Sequence, residues 1–174
     1  MESDVMFKVC IFGDGGVGKT TLTERYLTGK FKADLHMTIG TNFYRKDMKM
    51  DGLEISLQIW DFGGERMFRT LFPRYFMGSH GGIFMYDITR YSSLNHLDEW
   101  MKIVENDEVI EDIPPLLIVG GKLDLEGKRN VFKEEIKHVM KQNDFIDHVE
   151  CSAKTGKNVE KIFSKLTKAM LKKI

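Results

Sequence analysis

The stretch Gly13-Asp14-Gly15-Gly16-Val17-Gly18-Lys19-Thr20 matches the phosphate-binding pattern G-x-x-x-x-G-K-[ST] at every required position. An apolar run over 5–12 precedes it and a helix-compatible segment over 21–27 follows it, which is the strand, loop and helix order that the pattern needs. Glycines let the backbone wrap closely around an anion, and the N-terminus of the new helix adds partial positive charge. We expect Lys19 to reach the outer phosphates of a nucleotide and Thr20 to offer its hydroxyl to Mg²⁺. The stretch therefore predicts a nucleoside triphosphate site.

The composition of the 174-residue chain indicates one globular domain over residues 1–174. Lys plus Arg and Asp plus Glu both number 26, so the net charge gives no support for nucleic-acid binding. No apolar run reaches the roughly 18 residues of an integral membrane segment. Cys10 and Cys151 lie in apolar stretches without metal-ligand spacing, which predicts buried thiols and a cytoplasmic protein. The five histidines, including His36, also lack metal-ligand spacing and are interpreted as structural or surface residues.

Strand-like and helix-like segments alternate along the chain. Strand patterns cover 5–12, 82–87, 116–119 and 148–151, a hairpin over 42–60 turns at Asp51-Gly52, and helical periodicity covers 94–104, 132–140 and 159–170. This order predicts a doubly wound α/β fold with helices on both faces of a mostly parallel, six-stranded sheet that has one antiparallel edge strand. The ligand of such a fold is expected at the carboxyl ends of the strands.

Two segments lack a regular pattern. Residues 29–40 show no apolar periodicity and predict an exposed loop. The segment over 66–78 looks helical but contains Pro73, which removes a backbone donor and predicts an irregular helix.

Three further motifs follow predicted strands. Asp61 and Gly64 come directly after the second hairpin strand, where a carboxylate can approach a metal ion and a backbone N–H can face the terminal phosphate. Asp124, in Lys122-Leu123-Asp124, can accept two hydrogen bonds from the N1–H and 2-amino groups of guanine. Ser152-Ala153-Lys154 closes the last strand beside it. Together these motifs predict a guanine nucleotide.

With these motifs the chain resembles a Ras-superfamily small GTPase, and most closely a Rab-like one, over essentially its whole length. The resemblance is carried by Thr38-Ile39-Gly40, Trp60-Asp61, Tyr86-Asp87-Ile88-Thr89 and Cys151-Ser152-Ala153-Lys154. It implies GTP or GDP bound with Mg²⁺ and slow hydrolysis of GTP to GDP and phosphate. It also implies two switch loops, at about 31–41 and 61–78, whose order depends on the terminal phosphate.

The resemblance implies a role for each matching residue. Thr38 is the implied sensor of the γ-phosphate, Gly64 is its partner in the second switch loop, and Phe31 packs against the base. The implied catalytic residues are Lys19, Thr38, Gly64 and Glu65, and the implied Mg²⁺ ligands are Thr20, Thr38 and Asp61. The implied nucleotide-binding residues are Gly13, Asp14, Gly15, Gly16, Val17, Gly18, Lys19, Thr20, Thr21, Phe31, Thr38, Gly64, Lys122, Asp124, Ser152, Ala153 and Lys154.

Partners are implied in the same way. Effectors, exchange factors and GTPase-activating proteins are expected to bind through the two switch loops, and we expect a monomer. No cysteine lies near the carboxyl end, so the family's usual prenylation cannot be inferred for this chain. The expected location is therefore cytoplasmic, and peripheral to a membrane if a tail is missing from this sequence.

Four positions depart from the family pattern. Phe62 and Gly63 replace the usual Thr-Ala, Glu65 replaces the water-orienting Gln, and Gly121 replaces the Asn of Asn-Lys-x-Asp. The lost amide at Gly121 predicts affinity for guanine nucleotides that is about one or two orders of magnitude lower, with the preference for guanine retained. Gly121→Asn is predicted to slow GDP release if the neighbouring backbone can accept a side chain.

Two alternative functions remain open from the sequence. A guanine-nucleotide-binding module with little or no hydrolysis is suggested by Glu65 and Phe62. A phosphate-loop ATPase would use the same loop on adenine nucleotides, although Asp124 and the Ser152-Ala153-Lys154 motif argue against it.

Overall fold

The computed structural model describes residues 2–33 and 36–174, so residues 34 and 35 of the predicted first switch loop lie outside the described residues. The strands are β1 (Val5–Phe12), β2 (Thr41–Met50), β3 (Leu53–Phe62), β4 (Gly81–Asp87), β5 (Leu116–Gly121) and β6 (Phe145–Glu150). The α-helices are α1 (Lys19–Thr28), α2 (Phe72–Phe76), α3 (Tyr91–Asn95), α4 (Leu97–Glu105), α5 (Lys133–Gln142) and α6 (Val159–Leu171). Two 3₁₀ helices cover Arg66–Leu71 and Leu123–Lys128.

The six strands form one sheet in the order β2-β3-β1-β4-β5-β6. β1 is parallel to β3 and to β4, β4 to β5 and β5 to β6, whereas the edge strand β2 is antiparallel to β3. The predicted fold is therefore confirmed. Because the chain passes to one side of β1 and later to the other, connections diverge at its carboxyl end and leave a crevice there. The phosphate loop follows β1 at this crevice.

A hydrophobic core lies on each face of the sheet. On one face α1 and α6 pack together, and the rings of Tyr26 and Phe163 stack with centroids 3.8 Å apart. On the other face an aromatic cluster contains Phe12, Phe72 and Trp100, with ring centroids 4.9 to 5.9 Å apart. Full burial of such a side chain stabilises the fold by roughly 1.5–3 kcal/mol. The two cores hold the strand ends, and therefore the loops that follow them, in fixed positions.

The helix predicted over 94–104 is interrupted in the structure. α3 ends at Asn95 and α4 begins at Leu97, with His96 at the junction. The His96 ring nitrogen Nδ1 lies 2.5 Å from the Asp14 carboxylate, in the phosphate loop. This contact joins residues 82 positions apart, so the apolar periodicity of the segment could not reveal it.

The irregular segment over 66–78 and the hairpin follow the predictions with one extension. A 3₁₀ helix leads into the short helix α2, which has Pro73 in its first turn, where a missing N–H is tolerated. β3 continues two residues further than the predicted strand, because β2 pairs with it up to Asp61 and Phe62. Asp61 thus sits at the end of a strand held by neighbours on both sides.

Cys10 and Cys151 are buried free thiols, as predicted. Among the described residues, no helix has the length and apolar character to cross a membrane.

Candidate functional site

A cavity of about 400 Å³ opens where the loops after the strands converge. Most of the predicted site residues line it: Gly15, Gly16, Val17, Gly18, Lys19, Thr20, Thr21, Phe31, Thr38, Gly64, Glu65, Lys122, Asp124, Ala153 and Lys154. The other four, Gly13, Asp14, Asp61 and Ser152, lie behind this wall and contact residues that form it. The fold therefore brings together segments that are more than 130 positions apart in the sequence.

Lys19 lies at the end of the cavity that is formed by the loop after β1, called the phosphate end because phosphates are expected there. Its ammonium group donates hydrogen bonds to the carbonyl oxygens of Gly13, at 2.9 Å, and Asp14, at 2.7 Å, and the residue is only 6% exposed. Burial lowers the pKa of Lys19 to about 8, although the nearby carboxylates of Asp61 and Asp14 favour its charged form. A buried ammonium group that is held by two neutral carbonyl oxygens fits the charge of a bound phosphate group.

Three oxygen-bearing side chains converge beside Lys19. The hydroxyl oxygens of Thr20 and Thr38 lie 2.6 Å apart, and the Thr20 hydroxyl donates to Oδ2 of Asp61. Burial raises the pKa of Asp61, while hydrogen bonding to Thr20 and the charge of Lys19 lower it. The other carboxylate oxygen of Asp61, Oδ1, is buried and makes no hydrogen bond within the described part of the structure. An unpaired buried carboxylate oxygen is costly unless a cation or water satisfies it.

This donor set fits Mg²⁺, which prefers oxygen ligands and uses few carboxylates. No cluster of three or more His, Cys, Asp or Glu residues suited to a metal ion occurs among residues 2–33 and 36–174. A site made of one carboxylate and two hydroxyls would not form such a cluster. The structure therefore brings together Thr20, Thr38 and Asp61, and their role as Mg²⁺ ligands stays a prediction.

Asp124 and Lys122 line the part of the cavity where the base is expected, called the base end, and both are held by hydrogen bonds to neighbouring loops. Oδ1 of Asp124 accepts a 2.7 Å hydrogen bond from the Ser152 hydroxyl, which explains why Ser152 acts from behind the cavity wall. The Lys122 ammonium group donates to the Gly16 carbonyl at 2.9 Å and lies 2.8 Å from the Asp87 carboxylate. Although burial raises the pKa of Asp87, the hydrogen bond from Lys122 helps to hold it below its usual value. Lys122 thus links the base end to the phosphate loop.

The start of the second switch loop lies directly against the phosphate loop. A Cβ atom on Gly64 would come within 2.2 Å of the Gly15 nitrogen and 2.4 Å of the Gly13 oxygen, so only glycine fits there. Glu65 follows and lines the cavity. The two switch loops also touch, since the Gly63 N–H donates to the Gly40 carbonyl at 2.7 Å. A shift of either loop would therefore disturb the other.

Phe62 has a packing role that the sequence did not indicate. It is fully buried, and its ring centroid lies 5.0 Å from that of Phe72 and 6.3 Å from that of Trp100. It is not part of the cavity wall. The departure from the family pattern at this position therefore extends the aromatic core, and it gives no reason to expect altered hydrolysis.

The side chain of Asp14 points away from the cavity. Its carboxylate accepts hydrogen bonds from Arg69 at 3.0 Å and Trp100 at 3.1 Å, and it contacts His96 as described above. Arg69 also bonds to Glu99 in α4 at 2.9 Å. Asp14 was expected among the nucleotide-binding residues, and toward the cavity it offers its backbone. Its side chain instead connects the phosphate loop to the second switch loop and α4.

Several residues of the cavity wall were not identified from the sequence: Lys32, Ala33, His36, Met37, Met85 and Leu125. His36 had been interpreted as structural or surface. Met85 lies within the continuous apolar pattern of β4, so it had no feature that set it apart from core residues. Only the tertiary arrangement shows that these side chains face a ligand site.

Comparison with known proteins extends these observations to the whole chain. A model of the Ras family matches residues 8–172. The chain is 38% identical to "Ras-related protein Rab-1" of Theileria annulata, in a match that covers 99% of this chain and 78% of that protein. The identity and coverage are the same for "Ras-related protein Rab-1" of Theileria parva. The matched region includes every residue of the cavity wall.

Proposed function

This chain belongs to the Ras family and is a GTP-binding molecular switch with GTPase activity, and on that basis we propose how its own residues bind and hydrolyse the nucleotide. Membership of the Ras family does not favour the two alternative functions, a non-hydrolysing binding module and a phosphate-loop ATPase. We propose that residues 1–174 form one GTP-binding domain. The monomeric state and the cytoplasmic location remain predictions from the sequence.

The phosphates bind at the loop between β1 and α1. Backbone N–H groups of residues 13–20 point toward the phosphate oxygens, and Lys19 exchanges its two carbonyl partners for the outer phosphates. Thr21 and the N-terminus of α1 complete this end of the site. Phe31 packs against the base, and Lys154 with the backbone of Ala153 encloses it from the other side.

Mg²⁺ would be held by Thr20, Thr38 and Asp61, and when bound it neutralises phosphate charge. The observations that support this assignment are the contact between the Thr20 and Thr38 hydroxyls and the hydrogen bond from Thr20 to Oδ2 of Asp61. Oδ1 of Asp61 is buried and has no hydrogen-bond partner among the described residues. Thr38 belongs to the first switch loop, so its attachment at this point depends on the nucleotide state. Loss of the γ-phosphate would remove part of what holds Thr38 and Gly64 in place, and both switch loops would change position.

Hydrolysis proceeds by in-line attack of water on the γ-phosphate. Lys19 and the Gly64 N–H stabilise the charge on the transferring group, and Thr38 holds the loop that closes over it. Glu65 orients the attacking water by accepting its hydrogen bond. Unlike glutamine, an ionised carboxylate cannot donate a hydrogen bond to the phosphate, so we expect slow hydrolysis without an activating protein.

Partner proteins dock on the face formed by the switch loops and β2. Exposed apolar side chains are concentrated there, with Ile39 83%, Met67 71% and Phe43 59% exposed. Apolar side chains exposed together commonly mark interaction sites. Effectors, exchange factors and GTPase-activating proteins would use this face because its shape depends on the nucleotide.

Single-turnover hydrolysis tests the assignment. GTP-loaded parent protein, Thr38→Val and the control Thr28→Val are followed for phosphate release in Mg²⁺, alongside the rate of spontaneous nucleotide loss. Thr28 is an exposed threonine at the end of α1, away from the cavity. We expect the parent and Thr28→Val to hydrolyse GTP faster than they lose it, and Thr38→Val to be at least about tenfold slower. Equal hydrolysis by all three proteins would contradict the role of Thr38.

A further inference from the structure

Met85 occupies a position between the two ends of the nucleotide cavity. It lies near the end of β4, is only 2% exposed, and contributes to the cavity wall. Its terminal methyl carbon, Cε, lies 3.6 Å from the place that a Cβ atom would take on Gly18, in the phosphate loop. The same methyl lies 2.5 Å from the Cβ position of Gly121, at the end of β5. One flexible side chain therefore packs against the end of the strand that leads to Lys122 and Asp124 and also lies close to Gly18 in the phosphate loop.

A side chain at position 121 is opposed by this contact and not by the backbone conformation. The φ of Gly121 is not in the left-handed region, so the backbone itself would accept a side chain. The space is tight, since a Cβ atom would meet the Met85 methyl and would also come within 3.1 Å of the Val17 carbonyl oxygen. The preceding residue repeats the arrangement, because a Cβ on Gly120 would lie 2.6 Å from the Tyr86 hydroxyl. Two consecutive side chains of β4 thus fill the places that two consecutive side chains of β5 would need.

We propose that Met85 is an affinity-determining residue that holds the base end of the site at a fixed distance from the phosphate loop. This inference rests on the proposed function and concerns the rate at which bound guanine nucleotide leaves. An asparagine at position 121, the family pattern, would tie the two ends by hydrogen bonds. In this protein the two ends are linked instead by the packing of the Met85 methyl between Gly18 and Gly121.

The close packing of Met85 against Gly121 changes the expected effect of Gly121→Asn. Alone, the new side chain must displace the Met85 methyl and crowd the Val17 carbonyl, and overpacking of an enclosed site is destabilising. Methionine can swing away, but that movement abandons its contact with the phosphate loop. The amide can therefore restore tight binding only when Met85 is also shortened.

A double-mutant cycle tests the proposal. Release of a fluorescent GDP analogue into excess unlabelled GDP is measured for the parent, Met85→Val, Gly121→Asn and the double variant. We expect about tenfold faster release from Met85→Val, because a contact on each side of the methyl is lost. We expect no slowing by Gly121→Asn alone. The double variant should release the analogue at least about tenfold more slowly than the product of the two single effects predicts.

Met170→Val is the matched control, because Met170 belongs to the same hydrophobic core as Met85 but lies away from the cavity, against Gly81 at the start of β4. It should leave GDP release within about twofold of the parent rate. Thermal unfolding of all variants shows whether each one is folded, and Met85→Leu, which also lacks the Cε methyl of methionine, replaces Met85→Val if the latter does not fold.

Additive effects in the cycle, or unchanged release from Met85→Val, would overturn the proposal. So would slower release from Gly121→Asn alone. Failure of the proposed function gives a different result, since the parent itself would then not bind the GDP analogue.

Discussion

The phosphate end of the cavity matches its family pattern at every position, whereas the base end lacks the family's amide at Gly121. At the phosphate end the proposed recognition groups are backbone N–H groups and one buried lysine, all supplied by eight consecutive residues. At the base end the proposed groups are side chains from separate loops, with Asp124 fixed by Ser152 and Lys122 bonded to Gly16. A site made of backbone N–H groups depends on each of its glycines. A site made of side chains can lose one hydrogen-bonding group if neighbouring side chains keep the remaining groups in place.

The largest difference between the two ends should appear on removal of their lysines. Lys19→Ala should abolish tight nucleotide binding, because it removes the buried cation that faces several phosphate charges. Lys122→Ala is the matched change at the base end, and it should weaken binding by about 10- to 100-fold, since Gly16 and Asp87 lose one partner each. Equilibrium binding of a fluorescent GDP analogue measures both. Equal affinities of the two variants would show that the two ends do not differ in their dependence on lysine. Normal affinity of Lys19→Ala would show that the phosphates do not bind at Lys19.

Chelation of Mg²⁺ should affect only the phosphate end. EDTA should speed GDP release from the parent by about two orders of magnitude, because charge-assisted contacts to the phosphates are lost. Asp61→Asn should release GDP quickly in Mg²⁺ and respond little to EDTA, since one ligand is already weakened. The measurement is the dissociation rate with and without the chelator. A full EDTA response in Asp61→Asn would show that Asp61 does not take part in holding the metal.

Glu65→Gln should have a moderate effect on hydrolysis. Repulsion between a carboxylate and a phosphate charge at 4 Å is about 1 kcal/mol in water and about 4 kcal/mol at an effective dielectric of 20, offset in part by Lys19 and Mg²⁺. A glutamine amide removes this repulsion, accepts the hydrogen bond of the attacking water and can also donate one to the transferring phosphate, so Glu65→Gln should hydrolyse GTP faster than the parent. Equal rates of single-turnover phosphate release in the parent and in Glu65→Gln would contradict the role of Glu65.

The smallest effect concerns the stability of the sheet beside the base end. The His148 ring lies 2.8 Å from the Tyr86 hydroxyl, and burial lowers the pKa of His148, opposed by Glu150 and Asp147, while Arg129 reinforces the shift. The unfolded chain therefore binds this proton at a higher pH than the folded protein does. Stability should fall as the pH drops through the usual histidine value of about 6.5.

Chemical denaturation from pH 8 to pH 5 measures this effect on the free energy of unfolding. His148→Gln should flatten the dependence, whereas His138→Gln, at an exposed position in α5, should leave it unchanged. An identical slope in both variants would show that His148 does not titrate in the folded protein as its surroundings indicate.

The contrast between the two ends also explains what the sequence could predict. The doubly wound, mostly parallel sheet and the phosphate loop followed from periodicity and from a motif whose residues are adjacent, and the resemblance to the Ras superfamily implied a common site for Thr38, Asp61 and Asp124. The break at His96 and the burial of Phe62 depend on contacts between distant segments, as does the place of Met85. An apolar residue in a buried strand looks the same whether it faces a core or a ligand, so local pattern cannot separate the two.

Nucleotide competition shows which base the cavity selects. We expect Asp124 to select guanine although Gly121 offers no amide, because adenine has an unprotonated N1 and no 2-amino group and would leave the carboxylate poorly paired. Displacement of a fluorescent GDP analogue by GDP and by ADP is measured for the parent and for Asp124→Asn. We expect at least about a thousandfold preference for GDP in the parent and a loss of most of it in the variant. Displacement of the analogue from the parent by ADP as readily as by GDP would contradict the role of Asp124.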